Sequence, residues 1–239
     1  MEPVFTLKNA PDKLKYKFKY LFGDLNYNDL LKIQMDETST YSVSDYKTAK
    51  NISELIMSIR GINKKSTIVD GTSCVGGNVM SFARYFKHVF AIEFNESRLK
   101  LLKNNINVYK LNKKITAFNG DITVLYKELP IVDVYFLDPP WGGLDYLKSD
   151  KLDLYLSKIN ISDFCIMLKD YTKFIILKLP KNFNVENFSK TLDNQDKKSK
   201  HIELIKIHNL QKMMIVTIKV KNGKNYISDK KILEYLSVE

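Results

Sequence analysis

The chain is poor in arginine: of 38 basic residues only Arg60, Arg84 and Arg98 are arginines. Anionic partners are therefore expected to meet lysine point charges and not the rigid, bidentate guanidinium fork. Cysteine is scarce too. Cys74 and Cys165 are the only two, too few for a disulfide framework and without the spacing of a zinc site. A reducing, intracellular compartment is expected, with cytoplasm and nucleus not distinguished, and no metal. No apolar run reaches about eighteen residues, so no membrane span is predicted. The start, Met1-Glu2-Pro3, lacks the basic-then-apolar order of a secretory signal. No repeat or low-complexity tract is present. The histidines His88, His201 and His208 match no ligand pattern; His88 and His208 read as strand residues and His201 as surface.

What the chain does have is apolar content and positive charge. Hydrophobic residues make up 44% of 239 residues, enough for a sizeable core in one domain or one domain with an appendage. The formal charge of +11 attracts polyanions, nucleic acid first among them. A lysine-rich, arginine-poor composition is also what an AT-rich genome produces, and the two readings are compatible. Lys197, Lys198, Lys200, Lys219, Lys221 and Lys224 read either as solvated faces or as a hold on downstream RNA.

From about residue 46 onward, helical and strand patterns alternate. Asp45 has the place of an N-cap, and Ala49, Ile52, Leu55, Ile56 and Ile59 follow at helical spacing until Gly61. Apolar runs at 66–70, 88–94, 114–118, 132–137 and 173–179 predict buried strands. Leu99, Leu102, Ile106 and Tyr109 predict a helix. Two late runs, 202–207 and 213–220, are joined by a short connection that suits an antiparallel pair. The expected fold is α/β: a doubly wound, Rossmann-like sheet of seven strands closed by an antiparallel strand. Ligands of such sheets bind beyond the carboxyl ends of the strands. Residues 1–45 form an N-terminal extension and 46–239 the main domain. The extension interleaves Tyr16, Phe18, Tyr20, Phe22 and Tyr27 with Lys13, Lys15, Lys17 and Lys19. It reads either as a contribution to the mouth of the active site or as a tail that packs its aromatics on the core.

The strand ending at Asp70 runs into a loop, Gly71-Thr72-Ser73-Cys74-Val75-Gly76-Gly77-Asn78, that opens a helix. Glycines allow close backbone approach to a ligand, and the helix start offers unpaired amides. Glu93 closes the next strand, placed to accept the hydroxyls of a ribose. Asp121 follows the third strand, placed to accept from an adenine amine. The loop lacks the Gly-x-Gly-x-x-Gly of dinucleotide folds. Asp70 suits a cationic methionyl ammonium better than a pyrophosphate. S-adenosylmethionine is the expected cofactor, in preference to NAD.

Asp138-Pro139-Pro140-Trp141-Gly142-Gly143 follows the fourth strand. An exocyclic base amine is a poor nucleophile because its lone pair is conjugated with the ring. Two acceptors, the Asp138 carboxylate and the Pro139 carbonyl, can draw on its two N–H bonds while Trp141 stacks on the base. The chemistry is then positioning and electrostatics. The bland alternative is a Pro-Pro turn beside a core tryptophan.

These segments together resemble the trimethylguanosine synthase family, the RNA cap guanine-N2 methyltransferases. The resemblance covers Tyr41-Ser42-Val43-Ser44, Asp70 to Asn78, Ala91 to Glu93, Asn104-Asn105, Asp121, Phe136 to Tyr146 and Leu179-Pro180-Lys181-Asn182. It implies a compact member without the long N-terminal extension of cellular forms, acting on the exocyclic N2 of a 7-methylguanosine RNA cap. Ser42, Ser44, Asp70, Gly71, Cys74, Gly76, Asn78, Glu93, Asp121 and Asp138 are implied for the cofactor. Asp138, Pro139 and Trp141 are implied for catalysis, and Trp141, Asn105, Lys181 and Lys13 for the cap. Capped RNA is the implied partner, and a monomer suffices for this reading. Two departures stand out: the family has Ser where this chain has Asp138, and Thr-Pro-Glu where it has Ser44-Asp45-Tyr46. Asp138 keeps open a different target amine, adenine N6 or an internal guanine N2 of ribosomal RNA. A non-catalytic RNA-binding subunit is disfavoured by the intact Asp70, Glu93, Asp138 and Trp141.

Overall fold

Mostly apolar, buried runs build the inner strands of the main sheet, as strands covered on both faces require. The computed structural model describes residues 2–195 and 202–221. The chain divides at Ile122/Thr123 into two compact units. His201 and Lys197, Lys198, Lys200 and Lys224 lie outside the described residues.

The first unit opens with three helices, α1 (Asp12–Leu21), α2 (Tyr27–Leu30) and α3 (Ser39–Ser42), before α4 (Tyr46–Met57). Asp45 caps α4 as expected, its carboxylate accepting from the Lys47 and Thr48 amides at 3.1 and 3.0 Å. Then follow β1 (Thr67–Asp70), α5 (Gly77–Tyr85), β2 (His88–Glu93), α6 (Glu96–Val108) and β3 (Ile115–Asn119). β2 pairs in parallel with both β1 and β3. Every residue of β1 and β2 is buried.

The N-terminal helices share a core with the first loop. Leu14, Phe18 and Leu21 line one face of α1 and pack with Ile33, Met35, Val43, Val75 and Leu101. Phe22 is buried with them, whereas Tyr16 and Tyr20 stay exposed. The phenylalanines of the extension are thus core and its tyrosines surface.

After α7 (Ile122–Leu125), which spans the division, the second unit runs through β4 (Val132–Leu137), the small hairpin β5 (Tyr155–Leu156) and β6 (Ile159–Asn160), and α8 (Ile161–Met167). It ends with β7 (Thr172–Pro180), α9 (Val185–Gln195), β8 (Ile202–Asn209) and β9 (Met213–Val220). β4 and β7 are parallel; β9 runs antiparallel to β7 and β8. The seven-stranded order is β3-β2-β1-β4-β7-β9-β8. That is the doubly wound, Rossmann-like sheet expected, closed by the antiparallel β9. Among the described residues no helix is long and apolar enough to cross a membrane.

Candidate active site

In the first unit, the β1–α5 loop is held from several sides. Asp70 is buried at the end of β1, and its Oδ1 accepts from the Thr72 amide at 3.1 Å. The Ser73 hydroxyl donates to the Asp70 carbonyl and the Ser73 amide to the Ile92 carbonyl, both at 2.9 Å. Cys74 adopts a positive φ of 50°. Gly76 sits at φ 106° directly before α5 and supplies no side-chain cap, so the first amides of the helix stay available to a ligand. Gly77 has a different reason to be glycine: a Cβ there would lie 2.3 Å from the Ser44 carbonyl oxygen. Asn78 donates to the Ser44 hydroxyl at 3.1 Å. Ser44 therefore packs against the helix start, while Ser42, two residues earlier, is exposed.

Glu93 ends β2 and is buried, with Oε1 accepting from the Asn95 amide at 2.9 Å. Burial pushes its carboxyl above the usual range, opposed by the Asn95 and Cys74 amides and by Arg98. The Arg98 guanidinium joins Glu93, at 3.5 Å, to Asp36, at 2.9 Å. The Glu93 carbonyl accepts from the Gly120 amide and the Asn119 side chain, which ties the segment bearing Asp121 to the end of β2. The structure thus gathers Asp70, Gly71, Cys74, Gly76, Asn78, Glu93, Asp121 and Ser44 around one loop system. Burial drives the Cys74 thiol far above its usual range, opposite to the shift that activates a thiolate, and the side chain packs against the core of the extension.

The donors and acceptors suit S-adenosylmethionine. The Asn78 Oδ1 is buried without a hydrogen-bond partner in the protein, an acceptor waiting for a donor such as an ammonium. Phe94, next to Glu93, is 72% exposed, a bare aromatic face beside the acid expected to take the ribose.

Asn105 contradicts its expected role at the cap. It is fully buried, and its amide is consumed by the protein. Its Oδ1 accepts from the Gln34 amide, and its Nδ2 donates to the Gln34 and Val75 carbonyls, at 2.9, 2.9 and 3.1 Å. It braces the extension against the loop and has nothing left for a sugar. Lys13 and Lys181 are both exposed, on α1 and directly after β7.

In the second unit, Asp138 directly follows β4, with Oδ2 only 2.5 Å from the Lys178 ammonium of β7. Both side chains are largely buried, 14% and 8% exposed. Burial raises the Asp138 carboxyl above its usual range, while Lys178 and the nearby Trp141 indole oppose that shift. The indole Nε1 is buried and leans on this carboxylate without a hydrogen bond of full geometry. Pro139 is buried between them and Pro140 is exposed. The Trp141 ring meets Tyr146 edge-on at 5.3 Å, with the Lys178 ammonium 5.5 Å from its centroid. Asn182 donates to the Tyr146 and Ser149 carbonyls at 2.6 and 2.7 Å, fixing the stretch after the double proline.

Reading by residue type missed Lys178, Arg98, Asp36 and Phe94. Lys178 carried a signal, a lysine set between Leu177 and Leu179 in the apolar stretch of its strand, which a fold accepts only with a partner. Arg98 carried one as well, being one of three arginines. Asp36 had none.

The sheet order is that of the Rossmann-like methyltransferase fold, and the family match that follows makes the chain an S-adenosylmethionine-dependent methyltransferase. A candidate methyltransferase from Porphyromonas gingivalis W83 shares the fold with a TM-score of 0.57 at 15% identity, over 80% of this chain and 43% of that one. The model of the RNA cap guanine-N2 methyltransferase family matches residues 65–226, and the chain belongs to that family. Uncharacterized protein L320 of Acanthamoeba polyphaga mimivirus is 30% identical over 225 residues, 84% of each chain. Trimethylguanosine synthase of Saccharomyces cerevisiae is 25% identical over 171 residues, 68% of this chain and 53% of that one.

Proposed function

We propose that the protein methylates the exocyclic N2 amine of a 7-methylguanosine RNA cap, giving 2,7-dimethyl- and/or 2,2,7-trimethylguanosine. The observation that carries this reading is the Asp138-to-Trp141 loop, stiffened by two prolines and anchored through Lys178, in a chain of this family. Asp70, Asn78, Glu93 and Asp121 hold S-adenosylmethionine, with Ser42 and Ser44 of the extension beside them. The cofactor supplies an electrophilic methyl on a sulfonium.

The protein's own residues prepare the nucleophile. Trp141 stacks on the N7-methylated guanine, and the positive charge of that base strengthens the stack by about 0.5–2 kcal/mol. The Asp138 carboxylate and the Pro139 carbonyl accept the two amine N–H bonds, turning the nitrogen lone pair out of conjugation. Lys178 fixes the carboxylate and opposes the upward push of burial on it. Lys181 and Lys13 meet the cap phosphates as point charges.

The test is label transfer from radioactive S-adenosylmethionine to 7-methylguanosine diphosphate and to guanosine diphosphate. Transfer to the first alone is expected, and chromatography of the product counts the methyls. The residue at 138 favours a second reading: the resemblance implies serine there, and the acid this chain has instead suits methylation of adenine N6 or of an internal guanine N2. Transfer to neither nucleotide, with cofactor binding intact, selects it.

A further inference from the structure

Helix α1 is two-faced. Its inward residues, Leu14, Phe18 and Leu21, are buried, whereas Tyr16 and Tyr20 are 65% and 58% exposed. Four residues apart, these two rings lie one above the other on the outer face. The start of α4 adds Asp45, Tyr46 and Lys47, and Lys19 completes an open groove of about 350 Å³.

Lys19 and Lys47 form no ion pair among the described residues. The one acid lining the groove is already engaged. Asp45 caps α4 and accepts from the Tyr20 hydroxyl at 3.3 Å. Aromatic faces interleaved with lysines are the equipment for unpaired nucleotides: rings stack on bases and ammonium groups meet phosphates. Lysine is depleted from protein–protein interfaces, and the chain's charge of +11 favours a polyanion. The groove also adjoins the site. Asp45 follows Ser44, whose carbonyl abuts Gly77 and whose hydroxyl holds Asn78.

We propose that this groove holds single-stranded RNA, the nucleotides that follow the cap in the substrate. The identity of those nucleotides as cap-proximal rests on the cap reading; the binding of RNA does not. Recognition is tolerant of sequence, because stacking is open to every base and lysine reads no base edge as a fork.

Fluorescence anisotropy with a labelled, uncapped decauridylate tests the groove directly. The double substitution Tyr16→Ala, Tyr20→Ala is expected to weaken binding about ten-fold or more, and Tyr16→Phe, Tyr20→Phe to retain it. Lys19→Ala with Lys47→Ala is expected to flatten the salt dependence by roughly 0.7 log units per lysine. The KM for 7-methylguanosine diphosphate is expected to stay at its wild-type value in all three variants. Decauridylate affinity unaltered by the alanine pair, or lost equally in the phenylalanine pair, overturns the proposal. If the wild-type protein methylates no cap nucleotide, the cap reading falls, and the anisotropy still decides the groove.

Discussion

The Lys178 ammonium lies 2.5 Å from the Asp138 carboxylate, so the acid that opens the double-proline loop is accompanied by its own buried cation. The pair is neutral as a unit. In the proposed mechanism such a pair would offer a carboxylate to the amine without placing a net negative charge under the base. Removing either partner strands the other, at a cost of about 3–5 kcal/mol. Asp138→Ser and Lys178→Met are each expected to lower the urea midpoint strongly, and the double variant to recover most of the loss. Lys178→Met also removes the charge that opposes burial of Asp138. The acid limb of its kcat–pH profile is expected to move to higher pH. Additive losses in the double variant, or an unmoved profile, would take Lys178 out of the mechanism.

Trp141 has a different expected signature. Its ring is braced edge-on by Tyr146, with the Lys178 ammonium 5.5 Å from its centroid. Trp141→Ala is expected to weaken 7-methylguanosine diphosphate about two- to thirty-fold more than guanosine diphosphate, the range of a cation–π contact. S-adenosylmethionine affinity is expected to hold. Equal losses for the two nucleotides in titration calorimetry would show that the ring does not read the charge.

Most of the sheet was legible because its strands are short apolar runs between turn residues. The run predicted at 132–137 is β4, and the two late runs are β8 and β9. Asp45 announced its helix because capping is local chemistry. The extension was not legible in the same way. Its helices α1 to α3 are fixed by a core shared with Val75 and Leu101, residues distant in sequence. The Asp138–Lys178 pair spans forty residues for the same reason, since only the parallel pairing of β4 and β7 brings the two ends together. Asn105 misled because an exposed and a buried asparagine look alike in sequence. Its two bonds to Gln34 exist only once the extension has docked, and the third, to Val75, only once the β1–α5 loop lies against α6.

That placement separates Asn105 from Lys181. Asn105→Ala leaves the Gln34 and Val75 backbone groups without partners, and a buried unpaired group costs about 1–3 kcal/mol. Stability is expected to fall while the KM for the cap nucleotide in the folded protein holds. Lys181→Ala is expected to do the reverse, leaving the urea midpoint in place while weakening the nucleotide and reducing its salt dependence. A raised KM in Asn105→Ala at unchanged stability would return that residue to the cap site.

His88 links stability to pH. It is buried in β2 beside Phe90, with Nε2 2.8 Å from the Thr116 hydroxyl, and burial lowers its pKa from 6.5 to about 4. Between those two values the unfolded chain binds a proton that the folded chain refuses. Stability then rises with pH, is complete above about 6.5, and is lost as pH falls toward 4. Integrated from pH 7 to pH 5, this single residue is expected to remove roughly 1–2 kcal/mol. His88→Gln keeps a group able to pair with Thr116 and cannot titrate. Its urea stability is expected to fall less than that of the wild type over the same interval. Parallel declines in the two proteins would mean that His88 is protonated within the fold, and would assign the acid sensitivity to the buried carboxylates instead.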